Sequence, residues 1–276
     1  EEKIFDDALN SFNKSLSINP DEPRPKFNKS LIFLRRGNFN NGWDLYDEGI
    51  NNNIREINKL YFNEKKEVWD GLSFDGTLLV YDEQGVGDQI LFGTLLSDLI
   101  KIQSKVIVKI DQRLINLFSR TFKKIQFIPA DQHLQSNLYE KYVSIGSLPK
   151  YLRKSFSQFE NSSFAGLRSN ELINQQIKYQ LKSLKKLKIG FSWHSFGNKT
   201  GNLRSLKRKN VISLLETGHS FINLQYGNIL DEIKSINSSS KNKLITIDGV
   251  DLKYDIDHVA SIIDNCDIII TIDNTV

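Results

Sequence analysis

The chain has 276 residues, 39% of them hydrophobic and 25% charged, with a formal net charge of +4 and a pI near 8.9. This composition excludes a disordered chain, and with no run of about 18 apolar residues it excludes a membrane-spanning helix. The charge balance is too mildly basic to indicate nucleic acid as a partner.

The one cysteine, Cys266, rules out an internal disulfide framework and suits a reducing compartment. No signal peptide or targeting segment is visible, so a cytoplasmic location is expected. Methionine is absent even at position 1, and the chain stops at Ile272-Asp273-Asn274-Thr275-Val276, straight after a strand pattern. Both ends read as cuts within a longer protein.

Residues 1–50 carry a repeat. Phe5-Asp6-Asp7-Ala8-Leu9-Asn10-Ser11-Phe12 aligns with Phe39-Asn40-Asn41-Gly42-Trp43-Asp44-Leu45-Tyr46 at an offset of 34 positions. Ala8 and Gly42 are small residues that let helices approach closely. Phe12 and Tyr46 are aromatic knobs, and Pro20 ends its helix. Phe27–Arg36 reads as the first helix of the next unit, with Gly37-Asn38 as its turn. The stretch resembles tetratricopeptide repeats, with about one and a half units against the roughly three such a stack needs alone. The resemblance implies a groove for a peptide or protein partner.

Residues 51–72 read as a polar linker ending in Val68-Trp69-Asp70-Gly71. From 73 the pattern changes to strands alternating with helices. The predicted order is strand Thr77–Tyr81, helix Asp88–Ile102, strand Lys105–Ile110, helix Arg113–Thr121, then strands Ile125–Ile128 and Tyr142–Ile145. The helix from Asp88 keeps Ile90, Leu91, Thr94, Leu95 and Leu99 on one face. Such alternation argues for a parallel sheet, here a Rossmann-like domain over 73–165. The polar, helical stretch over 150–185 supplies the crossover, placed at 166–186.

A second series fills 187–276. Its predicted strands are Leu187–Trp193, Phe221–Gln225, Leu244–Ile247 and Ile268–Ile272, and its helices Asn210–Glu216, Ile229–Ile236 and Ile256–Asn265. The expected fold class is α/β: two Rossmann-like domains in tandem with a cleft between them, the second truncated, behind α-helical repeats.

The segment Leu78 to Leu91 carries the most information. It is a buried-strand pattern, then Glu83-Gln84-Gly85-Val86-Gly87, then Asp88 opening an amphipathic helix. Such a turn lets backbone N–H groups approach a polar ligand, at the strand end where open α/β sheets put their chemistry. A third glycine at dinucleotide-fingerprint spacing is missing and no acid sits suitably after the next strand, which argues against a dinucleotide-dependent oxidoreductase. Asp255-Ile256-Asp257 opens a helix, and no His/Cys cluster exists, so neither a metal nor a cofactor is expected. Lys182, Lys185, Lys186 and Lys188, then Lys199, Arg204, Lys207, Arg208 and Lys209, flank one strand-to-loop segment. They serve either an anionic ligand or solubility.

In order along the chain stand Trp69-Asp70-Gly71, Glu83-Gln84-Gly85-Val86-Gly87-Asp88, Gly190-Phe191-Ser192-Trp193, Arg204-Ser205, Asn223-Leu224-Gln225 and Ile272-Asp273-Asn274-Thr275. Behind tetratricopeptide repeats, this series resembles bacterial repeat-containing glycosyltransferases related to the heptosyltransferase group, glycosyltransferase family 9. The resemblance covers essentially the whole chain. It implies a two-domain GT-B fold, a nucleotide-diphosphate sugar as donor substrate in the C-terminal domain, and an acceptor glycan or protein facing the N-terminal one.

The resemblance also implies roles for residues. Asp88, in Gly87-Asp88, becomes a general base that takes the proton of the acceptor hydroxyl, opposite the leaving group, so that the sugar inverts. Asp88 reads equally as a cap of its own helix. Arg204 and Ser205 match the family's Arg-Ser and become diphosphate ligands, with Lys199 and Asn198 beside them. They read equally as a surface arginine and a capping serine. Gln225 either bonds a nucleobase or ribose or faces solvent at a strand end. Asp273 and Thr275 match an Asp-Thr pair that binds diphosphate, interrupted here by Asn274. Gln84, Gly85, Gly87 and Trp193 belong to the loops around the acceptor. The loop after Trp193 departs from the family: Gly197-Asn198 remains, the proline is missing and the run to Arg204 is short. The reading is an inverting, metal-independent glycosyltransferase in the cytoplasm of a bacterium. The alternative is a non-catalytic repeat scaffold with a vestigial glycosyltransferase fold, favoured by the shortened loop and the altered Asp273 motif.

Overall fold

The computed structural model describes residues 2–52, 54–55, 66–196 and 201–276. Backbone packing divides the chain into two units. The first runs to Ile115 and resumes from Phe122 to Gly166; the second comprises Asn116–Thr121 and Leu167–Val276.

The first unit begins with four helices: α1 (Glu2–Ile18), α2 (Pro23–Arg35), α3 (Phe39–Tyr46) and α4 (Glu48–Asn51). Proline in the first turn of α2 has a fixed φ suited to a helix start and no N–H to leave unpaired. Gly37 turns the chain with φ 72°. A Cβ at Gly42 would lie 2.6 Å from the Leu34 side chain and 3.1 Å from its backbone N, so the bare glycine lets α3 lie close against α2. Sequence reading sets 1–50 apart as its own region; in the structure these helices belong to the same unit as the first sheet. Phe39 meets Phe156 edge-on at 5.0 Å, and Trp43 Nε1 donates to the Arg153 carbonyl at 2.8 Å.

The sheet of this unit has five parallel strands: β1 (Glu67–Val68), β2 (Leu78–Tyr81), β3 (Val106–Ile110), β4 (Gln126–Pro129) and β5 (Lys141–Ser144), in the order β1-β5-β2-β3-β4. Every residue of β2 and β3 is buried, as expected of apolar strands covered on both faces. The linker reading of 51–72 is corrected at its end. Glu67 and Val68 pair with Lys141 and Tyr142, the Trp69 N–H donates to the Tyr142 carbonyl at 2.8 Å, and Trp69 is fully buried. Residues 53 and 56–65 of that linker lie outside the described residues.

The single helix expected over 88–102 is two, α5 (Val86–Gly93) and α6 (Leu96–Ile102). They part at Thr94, whose hydroxyl donates back to the Leu91 carbonyl at 2.7 Å, a bond that competes with the helical ladder. Helix α7 (Ile115–Thr121) follows β3, and α8 (Leu148–Leu152) and α9 (Phe156–Glu160) follow β5.

From β2 the chain steps to β3 and β4 on one side, then returns to place β5 on the other. The topological switch point therefore lies between β2 and β5, where such a sheet leaves a crevice at its carboxyl edge. Here Arg55 fills it. Its side chain is 1% exposed. Nε donates to Glu83 Oε1 at 2.9 Å, and Nη2 pairs with the other oxygen. Nη1 reaches Asp47 Oδ1 at 3.2 Å, and the guanidinium lies 4.2 Å from the centre of the Tyr46 ring. Ser144, at the end of β5, donates to Glu83, and Ser147 donates to Asp47 at 2.6 Å. A side chain at Gly146 would run into Glu83 and Arg55.

The second unit holds α10 (Glu171–Leu181), β6 (Lys188–Phe191), α11 (Gly201–Arg204), α12 (Arg208–Leu215), β7 (Ser220–Asn223), α13 (Leu230–Ser239), α14 (Ile256–Asp264) and β8 (Ile268–Ile270). Its sheet is parallel in the order β7-β6-β8. Phe191, Trp193, Val211, Leu215, Phe221 and Ile236 form one core, and Ile177, Leu181, Ile222, Leu224 and Ile262 another. Consecutive residues of β7, Phe221 and Ile222, thus enter opposite cores, as the strand period requires. The strand expected at Leu244–Ile247 reduces to a single bridge between Ile245 and Ile222.

Removing one member of a buried ion pair strands the other charge, at a loss of about 3–5 kcal/mol. Arg55→Met is expected to lower unfolding stability by that amount in urea titrations. Adding Glu83→Gln to it should recover part of the loss, and strict additivity of the two would refute the coupling.

Candidate functional site

Asp88 is the third residue of α5, so the helix starts two residues before the sequence-based boundary. Neither Gly85 nor Gly87 takes a positive φ. The left-handed residue of the turn is Gln84, at φ 56°. Its amide donates to Glu83 Oε1 at 2.8 Å and to the Tyr46 hydroxyl at 3.2 Å, which hold this strained conformation in place. Gly85 is the residue before the helix, and its N–H donates to Asp88 Oδ2 at 3.1 Å. The capping role is therefore real for one oxygen. The other has no hydrogen-bond partner among the described residues, and the side chain is half-buried. A carboxylate tied by one oxygen and open at the other can accept a proton from a hydroxyl brought to it.

A second acid stands at the carboxyl end of β2. Asp82 Oδ1 is buried with no hydrogen-bond partner. Burial pushes the carboxyl up to about 6, with Lys109 on β3 pulling it down and Asp111 and Glu83 pushing it up. Lys109 is itself buried, its ammonium donating to the Gln132 carbonyl at 2.7 Å, and burial lowers its pKa against the pull of Asp82 and Asp131. Sequence reading missed this pair; two charges at the centre and end of apolar strands are the signal that shows it.

In the second unit Trp193, expected in the acceptor or cleft loop, and Gln225 and Ser205, expected at the donor, are held by contacts within the chain. Trp193 lies in the loop after β6, but its side chain is 1% exposed and packs in the core, its Nε1 donating to Glu232 at 2.9 Å, so it is not open to a ligand. Gln225 does not present its amide outward. Oε1 accepts from Ser192 Oγ at 3.0 Å, Trp193 N at 2.9 Å and His194 N at 2.6 Å, and Nε2 donates to the His194 and Tyr226 carbonyls. With the residue 1% exposed, both ends of the amide are committed to holding the loop after β6. Ser205 braces the same loop: its hydroxyl accepts from Ser195 N at 3.0 Å and donates to the Gly201 carbonyl at 2.8 Å.

Arg204 and Asp273, predicted separately, are brought together. Arg204 Nη1 lies 2.7 Å from Asp273 Oδ2 on the exposed side of the unit. Asn274 next to it joins the loop network, donating to Ser192 Oγ at 2.6 Å and accepting from Thr271 Oγ1 at 3.0 Å and Val276 N at 2.9 Å. Thr275 is half-buried beside it. Lys199 and Asn198 lie outside the described residues. Asp257 belongs to the first turn of α14, as expected, and pairs with Arg120. Among the described residues no three His, Cys, Asp or Glu side chains converge, and no helix is long and apolar enough to cross a membrane.

The architecture defines a class: an α/β protein with parallel sheets, of the fold seen in glycosyltransferase family 9. A family 9 glycosyltransferase from Veillonella parvula DSM 2008 superposes with a TM-score of 0.52 over 75% of this chain and 77% of that one, at 12% identity. The E. coli ADP-heptose lipopolysaccharide heptosyltransferase II gives 0.53 over 72% and 80%, also at 12%. In sequence, the chain is similar to Protein FlbA of Caulobacter vibrioides, 25% identical over 269 residues. That match covers 90% of this chain but 45% of FlbA, so the chain spans about half the length of that relative. No protein-family profile matches the chain.

Because the folded state holds Asp82 near 6, above the ordinary carboxylate value, ionising it weakens the fold. Stability relative to an Asp82→Asn variant should fall by about 1–3 kcal/mol between pH 4 and pH 7.5. Chemical unfolding of both proteins across that range tests this, and parallel profiles would contradict it.

Proposed function

We propose that the protein is a glycosyltransferase that moves a sugar from a nucleotide-diphosphate donor to a hydroxyl acceptor, with inversion and without a metal ion. The observation that carries the reading is Asp88, half-buried at the carboxyl edge of a parallel sheet in a family 9 fold, with one oxygen tied to the Gly85 N–H and the other open. Asp88 acts as general base. As the acceptor oxygen attacks the anomeric carbon, the carboxylate takes its proton, and the nucleotide diphosphate departs on the opposite face. Arg204 serves the diphosphate, exchanging Asp273 for phosphate oxygens. Lys199 and Asn198 stand in the same stretch of sequence and share that task.

The N-terminal helices, read as tetratricopeptide repeats, receive a peptide or protein partner, and the acceptor is a glycan or a protein. The setting is a bacterial cytoplasm. A second reading draws on Gln225, Ser205 and Arg204, all engaged within the chain. In that reading the fold is a scaffold without catalysis and the helices carry the function.

Two experiments on the full-length protein decide. With a panel of nucleotide-diphosphate sugars, Asp88→Ala should reduce transfer by about 10²–10⁴-fold, while calorimetry shows donor binding retained. Undiminished turnover refutes the base, and no binding of any nucleotide diphosphate by the unaltered protein favours the scaffold. Transfer should also survive chelation by EDTA. Complete loss, restored by magnesium, would count against Arg204 as the counter-charge.

A further inference from the structure

We propose that the second unit carries another ligand site, for a small molecule bearing two or more phosphate groups, at the amino-terminal edge of its sheet. It is independent of the glycosyltransferase reading, because Arg204 and Asp273 belong to the carboxyl edge of the same strands. A pocket of about 470 Å³ lies where α10, α14 and the start of β6 meet, a size suited to a small molecule. Lys178, Lys182 and Lys188 line it, over Leu181, Leu184 and Cys266.

Of the two acids on its rim, Asp267 is paired with a lysine, and Asp264 is held by a neutral amide. Asp267 accepts from the Lys188 N–H at 2.8 Å and pairs with its ammonium at 3.4 Å, and Asp264 accepts from Asn174 Nδ2 at 3.3 Å. Lys178, on α10, and Lys182, at its C-cap, carry no ion pair among the described residues and lie four residues apart on one side of the helix end, where like charges repel; with Lys188 they outnumber the two acids. Lys182 lies 3.4 Å from the centre of the Tyr179 ring, a contact that offsets none of its charge. A ligand with two phosphate groups satisfies both ammoniums at once and relieves their repulsion. Its organic part rests on Leu181 and Leu184.

Cys266, the only cysteine, lines this pocket and reports on it. The test is the rate of Cys266 alkylation by N-ethylmaleimide at pH 8.5, with and without 1 mM tripolyphosphate at constant ionic strength. Occupancy should slow labelling by at least about threefold. Lys178→Gln with Lys182→Gln should abolish the slowing, and Arg204→Gln should leave it intact. Equal slowing by citrate or by added sodium chloride, or slowing that survives the double lysine change, overturns the proposal. Calorimetric titration of tripolyphosphate into the Arg204→Gln protein provides a second measurement. Heat that persists after both lysines are also changed overturns it too, as does no heat at all.

Discussion

The guanidinium of Arg55 closes the crevice that the strand order opens between β2 and β5. Glu83 lies at the end of β2, Ser144 at the end of β5, and Asp47 just after α3, and one side chain joins all three. A buried charge of this kind adds little net stability over well-packed apolar groups, but it tolerates very few arrangements. It thereby sets where the N-terminal helices sit against the first sheet. Glu83 also takes a hydrogen bond from Gln84, whose left-handed backbone starts the turn into Asp88. The conformation of the turn that carries the proposed base thus depends on residues some thirty positions upstream.

Much of the fold was legible in the sequence. Fully apolar runs such as Leu78–Tyr81 identified the central strands, and the alternation of strand and helix patterns placed α14 between its neighbouring strands. β1 was not legible, because two residues pair too briefly to leave a period, and the tryptophan just after it reads as a loop aromatic until its burial is known. The Arg55 anchor was invisible for another reason: its partners lie far apart in sequence, and nothing local distinguishes a buried arginine from an exposed one.

The candidate site was legible by position more than by role. Asp88 lies in the first turn of α5, just past the end of β2, and Arg204 pairs with Asp273, a contact the sequence does not show. Gln225 and Ser205 stand beside them, but their polar atoms hold the loop between β6 and α11 rather than pointing outward. The sequence shows that an amide sits at a strand end; it does not show which way that amide turns. The choice is local. Three donors, from Ser192, Trp193 and His194, converge on one Gln225 oxygen, and a buried acceptor among donors is more stable than an exposed one.

In the donor role proposed for Arg204, its pairing with Asp273 makes anion capture an exchange reaction. An incoming ligand gains only the excess of its own attraction over that of a side-chain carboxylate it must evict. A monovalent ion trades like for like and is barely retained, whereas a divalent one comes out ahead. In that proposed role Arg204 would sort anions by valence before shape matters, and concentrated electrolyte would blunt that discrimination.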